Sequence, residues 1–219
     1  MSLDLIVMDM DDTVYLERDY VKSGFQAVDR WIRERVGVDG FLEFAWSQFE
    51  QGARGDIFDR ALKQMTLSDA FDIQELVERY RQHTPEIWLT EDSVNFLEGL
   101  EKRVPLALIT DGPPTSQRNK VLALGLGQYL DETVITFEHD ESWHKPNADS
   151  FVHLQKRFRA SSHGCIYIGD NPVKDFRAPV ALGWQTLRIR RPGGLHYELD
   201  SSIDQLEMLP GRSWLDERL

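Results

Sequence analysis

The stretch Leu5-Ile-Val-Met-Asp-Met-Asp-Asp-Thr13 decides the fold. Its first four residues are apolar, and Asp9, Asp11 and Asp12 follow at once. An apolar run without polar alternation is typical of a strand buried on both faces, as in a parallel sheet covered by helices. Three carboxylates this close repel one another unless a cation holds them. At the carboxyl end of a parallel strand, where loops converge on a crevice, they predict a ligand site, and an acidic surface turn is the alternative.

Further short apolar runs predict more strands of the same sheet. They cover residues 104–109, 133–137, 165–168 and 186–189. Helical patterns lie between the later runs: Ala148, Phe151 and Phe158 belong to one, and Val173 and Val180 belong to another. Strands that alternate with helices predict an α/β fold with an open parallel sheet and helices on both faces.

The segment 17–90 breaks this alternation. Phe25, Val28 and Ile32 share one helical face, and three similar amphipathic patterns follow before residue 90. Aromatic residues at this spacing usually form the core of a helical module. The predicted division is therefore a core of residues 1–16 and 91–219 and a small all-helical insert of residues 17–90.

The charge of the chain bears on its partners. The 219 residues carry 25 basic and 37 acidic side chains, a formal net charge of −12. No basic cluster longer than Arg190-Arg191 interrupts this excess, so we expect no nucleic-acid partner. The acidity also repels anionic substrates unless the site is locally positive.

Two features bear on the compartment. The single cysteine, Cys165, has no partner in the chain for a disulfide and lies in an apolar run, which predicts a buried strand residue in a reducing compartment. No apolar stretch approaches the roughly 20 residues that span a bilayer, and the first residues lack the basic region of a signal peptide. We therefore expect no membrane partner and a cytoplasmic location.

Three later motifs also follow predicted strands or precede a helix. They are Thr110-Asp-Gly112, Lys145-Pro146 and Gly169-Asp-Asn-Pro-Val-Lys-Asp175. Each alone is an ordinary turn or a solvated lysine. Their common position at the ends of strands predicts that they meet at one site.

With these four motifs in this order, the chain resembles the haloacid dehalogenase-like superfamily of Rossmann-like hydrolases. The resemblance covers nearly the whole chain, and the helical insert matches the cap of the subgroup that carries it after the first motif. It is strongest to the phosphatases of that subgroup. The resemblance implies hydrolysis of a small phosphorylated metabolite, with Mg²⁺ as cofactor, through an aspartyl-phosphate intermediate.

The resemblance also implies catalytic and phosphate-binding roles. Asp9 is the implied nucleophile, which splits one difficult displacement into two easier ones. Asp11 is the implied acid and base, first for the leaving oxygen and then for the attacking water. The hydroxyl of Thr110 and the backbone amides of Asp111 and Gly112 are expected to hold the phosphate.

The metal-binding roles follow from the same resemblance. Asp9, the backbone carbonyl of Asp11 and Asp170 are the implied Mg²⁺ ligands, in keeping with the preference of Mg²⁺ for oxygen. Asp175 is expected behind them, orienting a metal-bound water or Lys145. Lys145 is expected to bind phosphate and offset its charge and that of the nucleophile.

Other activities are distinguished by single residues. Dehalogenases of the family lack the second aspartate, so Asp11 argues against halide release. A Schiff-base lysine in the insert is not indicated, because Lys22 and Lys63 have no recognisable motif around them. A phosphomutase of the same family and a non-catalytic binding protein on this fold both remain open, as does the choice between monomer and homodimer.

Two segments complete the expectations. Arg54, flanked by glycines, is the candidate in the insert for an anionic group of the substrate, and a solvated loop arginine is the alternative. The tail 190–219 is predicted to be a return loop with a short terminal helix, and we assign it no chemistry.

Overall fold

A computed structural model describes residues 2–100, 104–211 and 217–218. The chain divides into two compact units. The first, here called the sheet unit, comprises Met1–Arg18 and Trp88–Leu219, and the second, the helical unit, comprises Asp19–Ile87. Across the described residues, no helix is long and apolar enough to cross a membrane.

The sheet has six strands in the part of the chain that the structure describes, and every neighbouring pair is parallel. They are β1 Leu5–Met8, β2 Leu106–Thr110, β3 Glu132–Ile135, β4 Cys165–Gly169, β5 Gln185–Ile189 and β6 Gln205–Leu206. Their order across the sheet is β3-β2-β1-β4-β5-β6. The predicted open parallel α/β sheet is confirmed, with β1 between β2 and β4.

Eight α-helices accompany the sheet among the described residues. They are α1 Glu17–Val36, α2 Phe41–Glu50, α3 Ile57–Gln64, α4 Ile73–Gln82, α5 Glu91–Gly99, α6 Pro114–Ala123, α7 Asp149–Phe158 and α8 Arg177–Ala181. The predicted helix around Val173 begins only at Arg177, and Val173 itself is 74% exposed. The four helices predicted in the insert are all present.

Strand residues that point to one side of the sheet form its main core. Cys165 and Tyr167 alternate along β4 and are fully buried, and α7 packs on them through Phe151. The Phe151 and Tyr167 rings meet edge to face at 5.0 Å. The prediction that Cys165 is a buried strand residue is confirmed.

The helical unit has an aromatic core of its own. The Phe25 ring meets those of Phe41 and Phe58 edge to face, at 6.3 and 6.0 Å. Phe41 and Phe49 are buried, which confirms that aromatics at helical spacing pack inside this unit.

The structure corrects the predicted strand 133–137. The strand ends at Ile135, and Thr136–Glu138 forms a 3₁₀ turn that leaves Phe137 45% exposed. The hydroxyl of Thr136 donates to Asp111 Oδ1 at 2.6 Å, which draws the chain toward the end of β2. The predicted terminal helix of the tail lies largely outside the described residues.

Candidate active site

The carboxyl ends of three central strands bring the motifs together. Asp9 follows β1, Thr110 ends β2 and Asp170 follows β4. A cavity of about 80 Å³ opens at this edge of the sheet unit. Its lining residues are Asp9, Asp11, Glu17, Asp111, Asp170, Lys174 and His196.

Lys145 is buried at this edge and is not a solvated lysine. Its Nζ donates to Asp9 Oδ1 and to Asp175 Oδ1, both at 2.7 Å, and to the Tyr167 hydroxyl at 3.2 Å. Burial alone lowers the pKa of Lys145, but the carboxylates of Asp175 and Asp9 raise it well above its ordinary value. The ammonium therefore stays charged between the two carboxylates.

The positive charge near the Asp9 and Asp170 carboxyl groups does not fully offset the effect of their burial. Burial raises the pKa of Asp9 well above its ordinary value, although Lys145 opposes this. Burial also raises the pKa of Asp170, and the nearby Asp175 adds to the effect. Oxygen atoms of these three carboxylates lie within 4.8 Å of one another. Such a hard, under-compensated oxygen cluster fits a divalent cation such as Mg²⁺.

Asp175 supports this cluster from behind. Its side chain is fully buried, and Oδ1 accepts from Lys145. Its Oδ2 accepts from the backbone N–H groups of Asp170 and Asn171, at 3.1 and 2.8 Å. A Cβ at Gly169 would lie 2.6 Å from Asp175 Oδ2, so this close approach requires glycine. Both oxygens are engaged, which suits an orienting residue.

Asp11 is held by three side chains. Its Oδ1 accepts from Lys120 Nζ at 2.7 Å and from the Tyr15 hydroxyl, and its Oδ2 accepts from Gln117 Nε2 at 3.2 Å. Burial raises the pKa of Asp11, but Lys120 and these hydrogen bonds outweigh burial and hold it below its ordinary value. The sequence analysis missed Lys120 and Gln117, which lie more than a hundred residues from Asp11.

The second motif forms a polar corner. Thr110 is fully buried, and its Oγ1 accepts from Gln117 Nε2 at 2.6 Å, so its own proton remains for another acceptor. Lys174 Nζ lies 3.5 Å from Asp111 Oδ2, and Lys174 lines the cavity. Gly112 has φ 138°, in the left-handed region that favours glycine.

The tail reaches the same edge, which the sequence analysis did not predict. His196 Nδ1 lies 2.7 Å from Asp170 Oδ2. The fully buried Arg188 donates to the carbonyls of Asp170, His196 and Leu199. This arginine fixes the tail beside the cavity, so the tail does contribute to the site.

Asp12 and Glu17 complete the carboxylates of this edge. Asp12 accepts from the backbone N–H groups of Glu17 and Leu195, at 2.8 and 2.6 Å. Burial raises the pKa of Asp12 to about 6. Burial and the charge of Asp11 raise the pKa of Glu17 to about 7.

Arg54 lies in the helical unit and is exposed. Its Nη1 donates to the carbonyls of Phe49 and Ala53, at 2.9 and 2.7 Å, and the guanidinium stands over the Phe49 ring at 4.1 Å. These contacts cap the C-terminus of α2. A role in substrate binding stays a prediction.

Known proteins are similar to this chain. A family model for haloacid dehalogenase-like hydrolases matches residues 3–183. Glyceraldehyde 3-phosphate phosphatase of Methanopyrus kandleri is 33% identical over 115 residues, 51% of this chain and 48% of that protein. N-acylneuraminate-9-phosphatase of Rattus norvegicus is 29% identical over 125 residues, 53% of this chain and 50% of that protein. The chain thus spans about half the length of these curated relatives.

The fold has counterparts among solved structures. A haloacid dehalogenase-like phosphatase from Thermococcus onnurineus has a TM-score of 0.59 at 22% identity, with 99% of this chain and 97% of that chain covered. At 22% identity, the structural similarity supports a shared fold and nothing further. The family model covers most of the chain. The chain belongs to the haloacid dehalogenase-like hydrolase family.

Proposed function

We propose that the protein is a Mg²⁺-dependent phosphatase that forms an aspartyl-phosphate on Asp9. The observation that carries the proposal is the contact of buried Lys145 with Asp9, a carboxylate that lines the cavity together with Asp11 and Asp170. This arrangement combines a nucleophile, a cation beside it and a second carboxylate for proton transfer. A lysine so placed compensates charge that an acidic protein would otherwise present to a phosphate.

The cofactor is part of the proposal. Asp9, the backbone carbonyl of Asp11 and Asp170 would hold Mg²⁺, with Asp175 orienting them from behind. The pKa values of Asp9 and Asp170 are raised because burial disfavours their charged forms. When bound, the cation would supply positive charge that stabilises both carboxylates. Oxygen-only ligands of this kind suit Mg²⁺ better than softer metals.

The reaction has two balanced steps. In the first, an Asp9 oxygen bonds to phosphorus while the bond to the leaving oxygen breaks, and Asp11 gives that oxygen its proton. In the second, Asp11 takes a proton from water and the water oxygen bonds to phosphorus. The bond to Asp9 then breaks, its electron pair returns to the carboxylate, and inorganic phosphate leaves. Thr110 and the amides of Asp111 and Gly112 would bind the phosphate oxygens.

The substrate class rests on two arguments. Asp11 argues for an alkoxide leaving group, since a departing halide needs no proton. The two curated relatives are phosphatases of small phosphorylated compounds, so we propose a small phosphorylated metabolite, of the sugar phosphate, nucleotide or phosphoglycolate type, as substrate. The helical unit is inserted directly after the first motif, and we propose that it is the cap that selects the leaving group.

Phosphate release from 4-nitrophenyl phosphate and from a panel of phosphorylated metabolites tests the proposal. We expect turnover with Mg²⁺, none after EDTA treatment, and inhibition by Ca²⁺, whose looser coordination misplaces the nucleophile. The Asp9→Asn variant should form no phosphoenzyme, while Asp59→Asn, at an exposed position of α3, should behave as wild type. A wild-type protein inactive on every substrate would instead support a binding protein on this fold.

A further inference from the structure

The buried face of α6 is polar, which is unusual for a helix packed in a protein interior. Its buried residues are Ser116, Gln117 and Lys120. Helices normally bury an apolar face, and lysine is among the residues least often buried. The Lys120 side chain is only 5% exposed. This face therefore calls for an explanation at the site that it contacts.

The two oxygens of Asp11 are held unequally. Oδ1 accepts from the ammonium of Lys120 at 2.7 Å and from the Tyr15 hydroxyl. Oδ2 accepts only a long contact of 3.2 Å from Gln117 among the hydrogen bonds of the described residues. The same Gln117 Nε2 also donates to Thr110 Oγ1 at 2.6 Å and to the Asp111 carbonyl at 2.8 Å, so Asp11 Oδ2 shares this donor with two other acceptors. Oδ2 is thus the oxygen with capacity left for a reacting group.

We propose that Lys120, together with Tyr15, is a positioning residue that fixes Oδ1 of Asp11 and leaves Oδ2 as the oxygen that transfers the proton. This inference rests on the proposed function, in which Asp11 is the acid and base. The first step requires Asp11 in its protonated form: the Oδ2–H bond breaks and its proton goes to the leaving oxygen, which keeps the electron pair of its bond to phosphorus. In the second step Oδ2 receives the proton of the attacking water.

Lys120 acts through Asp11 and not on the phosphate. Among the described residues that line the cavity, Asp11 is present and Lys120 is not. A buried ion pair adds little stability over a well-packed apolar pair, so stability alone does not account for it. Holding a carboxylate in one orientation does account for it, because misplacement by about 1 Å costs on the order of 10²-fold in rate.

The test is a pair of substitutions made in two backgrounds with an alkyl phosphate as substrate. Lys120→Met should lower kcat by about 10- to 100-fold with little change in KM. In the Asp11→Asn background the same substitution should cost less than about twofold, because the group that it positions is gone. Lys156→Met, an exposed lysine of α7, is the matched control and should change nothing.

Tyr15→Phe is a second variant that keeps the inference testable if the Lys120→Met protein does not fold. It removes only the hydroxyl that binds Asp11 and keeps the ring. It should lower kcat by about tenfold in the wild-type background and leave the Asp11→Asn protein unchanged. Equal losses in both backgrounds, or a rise in KM alone, would overturn the inference. Failure of the proposed function is a separate result, because it appears as inactivity of the wild type or full activity of Asp11→Asn.

Discussion

Lys145 Nζ lies 2.7 Å from Asp9 Oδ1, and neither side chain is more than 5% exposed. The ammonium also binds Asp175, so one buried cation serves two buried carboxylates. Such a group is already oriented before any phosphate arrives, and it needs no reorganisation during the reaction. The contact couples the proposed nucleophile, directly after β1, to a lysine 136 positions away in the chain.

The first prediction is that Lys145→Met lowers kcat by roughly 10²–10³-fold, the usual cost of one preorganised electrostatic group. The loss should appear in the rate of phosphoenzyme formation, measured by rapid quench. Since the substitution leaves Asp9 and Asp175 without their cation, the thermal midpoint is measured in parallel. Lys156→Met is the control. A variant that is folded, stable and fully active would contradict the assigned role.

The second prediction separates Asp11 from Asp9. Asp11→Asn keeps the nucleophile but removes the proton donor, a contribution of roughly 10²–10⁴-fold. With an aryl phosphate, whose leaving group needs little protonation, phosphorylation should slow less than with an alkyl phosphate. Single-turnover rates on both substrates measure the difference. Equal slowing on the two would count against proton transfer by Asp11.

The site motifs were predictable because each lies in a short, recognisable stretch, either at the end of an apolar run or, for Lys145, just before a helix. Asp9, Lys145 and Asp170 meet for this reason, and their roles stay proposals. β6 was not predictable, since Gln205 and Leu206 are exposed and show no apolar pattern. A two-residue strand at the edge depends on its neighbour β5 and not on its own sequence.

The supporting contacts were hidden for a different physical reason. Lys120 and Gln117 lie on a helix whose buried face is polar, so hydrophobic periodicity carries no information about its orientation. His196 lies in a loop, and its place beside Asp170 depends on the buried guanidinium of Arg188. Contacts of this kind are set by tertiary packing and not by local pattern.

The third prediction concerns His196. Because its ring binds Asp170 Oδ2 at 2.7 Å, His196→Ala should loosen a proposed metal ligand. Removing such a supporting partner typically costs 10–100-fold in metal affinity. We expect the Mg²⁺ concentration for half-maximal activity to rise by about that factor, with kcat retained at saturation. Calorimetric titration with Mg²⁺ gives an independent reading, and His163→Ala, an exposed histidine, is the control.

The fourth prediction is a stability that falls as the pH rises in metal-free protein. The pKa of Glu17 is about 7 in the folded protein against an ordinary 4.5, so the folded state holds its proton longer than the unfolded chain. Glu17 therefore does not affect stability below about pH 4.5. Its contribution becomes unfavourable as the pH rises from there through about 7. Asp12, with a pKa of about 6, acts in the same direction.

Urea unfolding in EDTA between pH 5 and 8 measures this dependence. The midpoint should decrease with pH, and Glu17→Gln should flatten the curve because its amide does not titrate. Glu98→Gln, at an exposed position of α5, should leave the slope as in wild type. A midpoint that rises with pH over this interval would contradict the predicted loss of stability.

The fifth prediction concerns Arg54. Its guanidinium already satisfies the carbonyls of Phe49 and Ala53, so binding a substrate anion would have to compete with these two bonds. A charged donor at the C-terminus of α2 also interacts favourably with the helix dipole. If Arg54 contacts the remote part of the substrate, Arg54→Ala raises KM for the natural substrate and leaves the hydrolysis of 4-nitrophenyl phosphate almost unchanged.

We expect this difference between the two substrates, because a contact outside the phosphoryl group contributes to substrate binding without altering the chemical step. Arg60→Ala is the matched control, since Arg60 is also exposed and pairs with Asp56 on the surface of the helical unit. Unchanged KM on both substrates, with a lower thermal midpoint, would mean that Arg54 only caps α2. Equal loss on both substrates would mean that it acts on the phosphoryl group or on folding, and measurement of the unfolding midpoint separates these two outcomes.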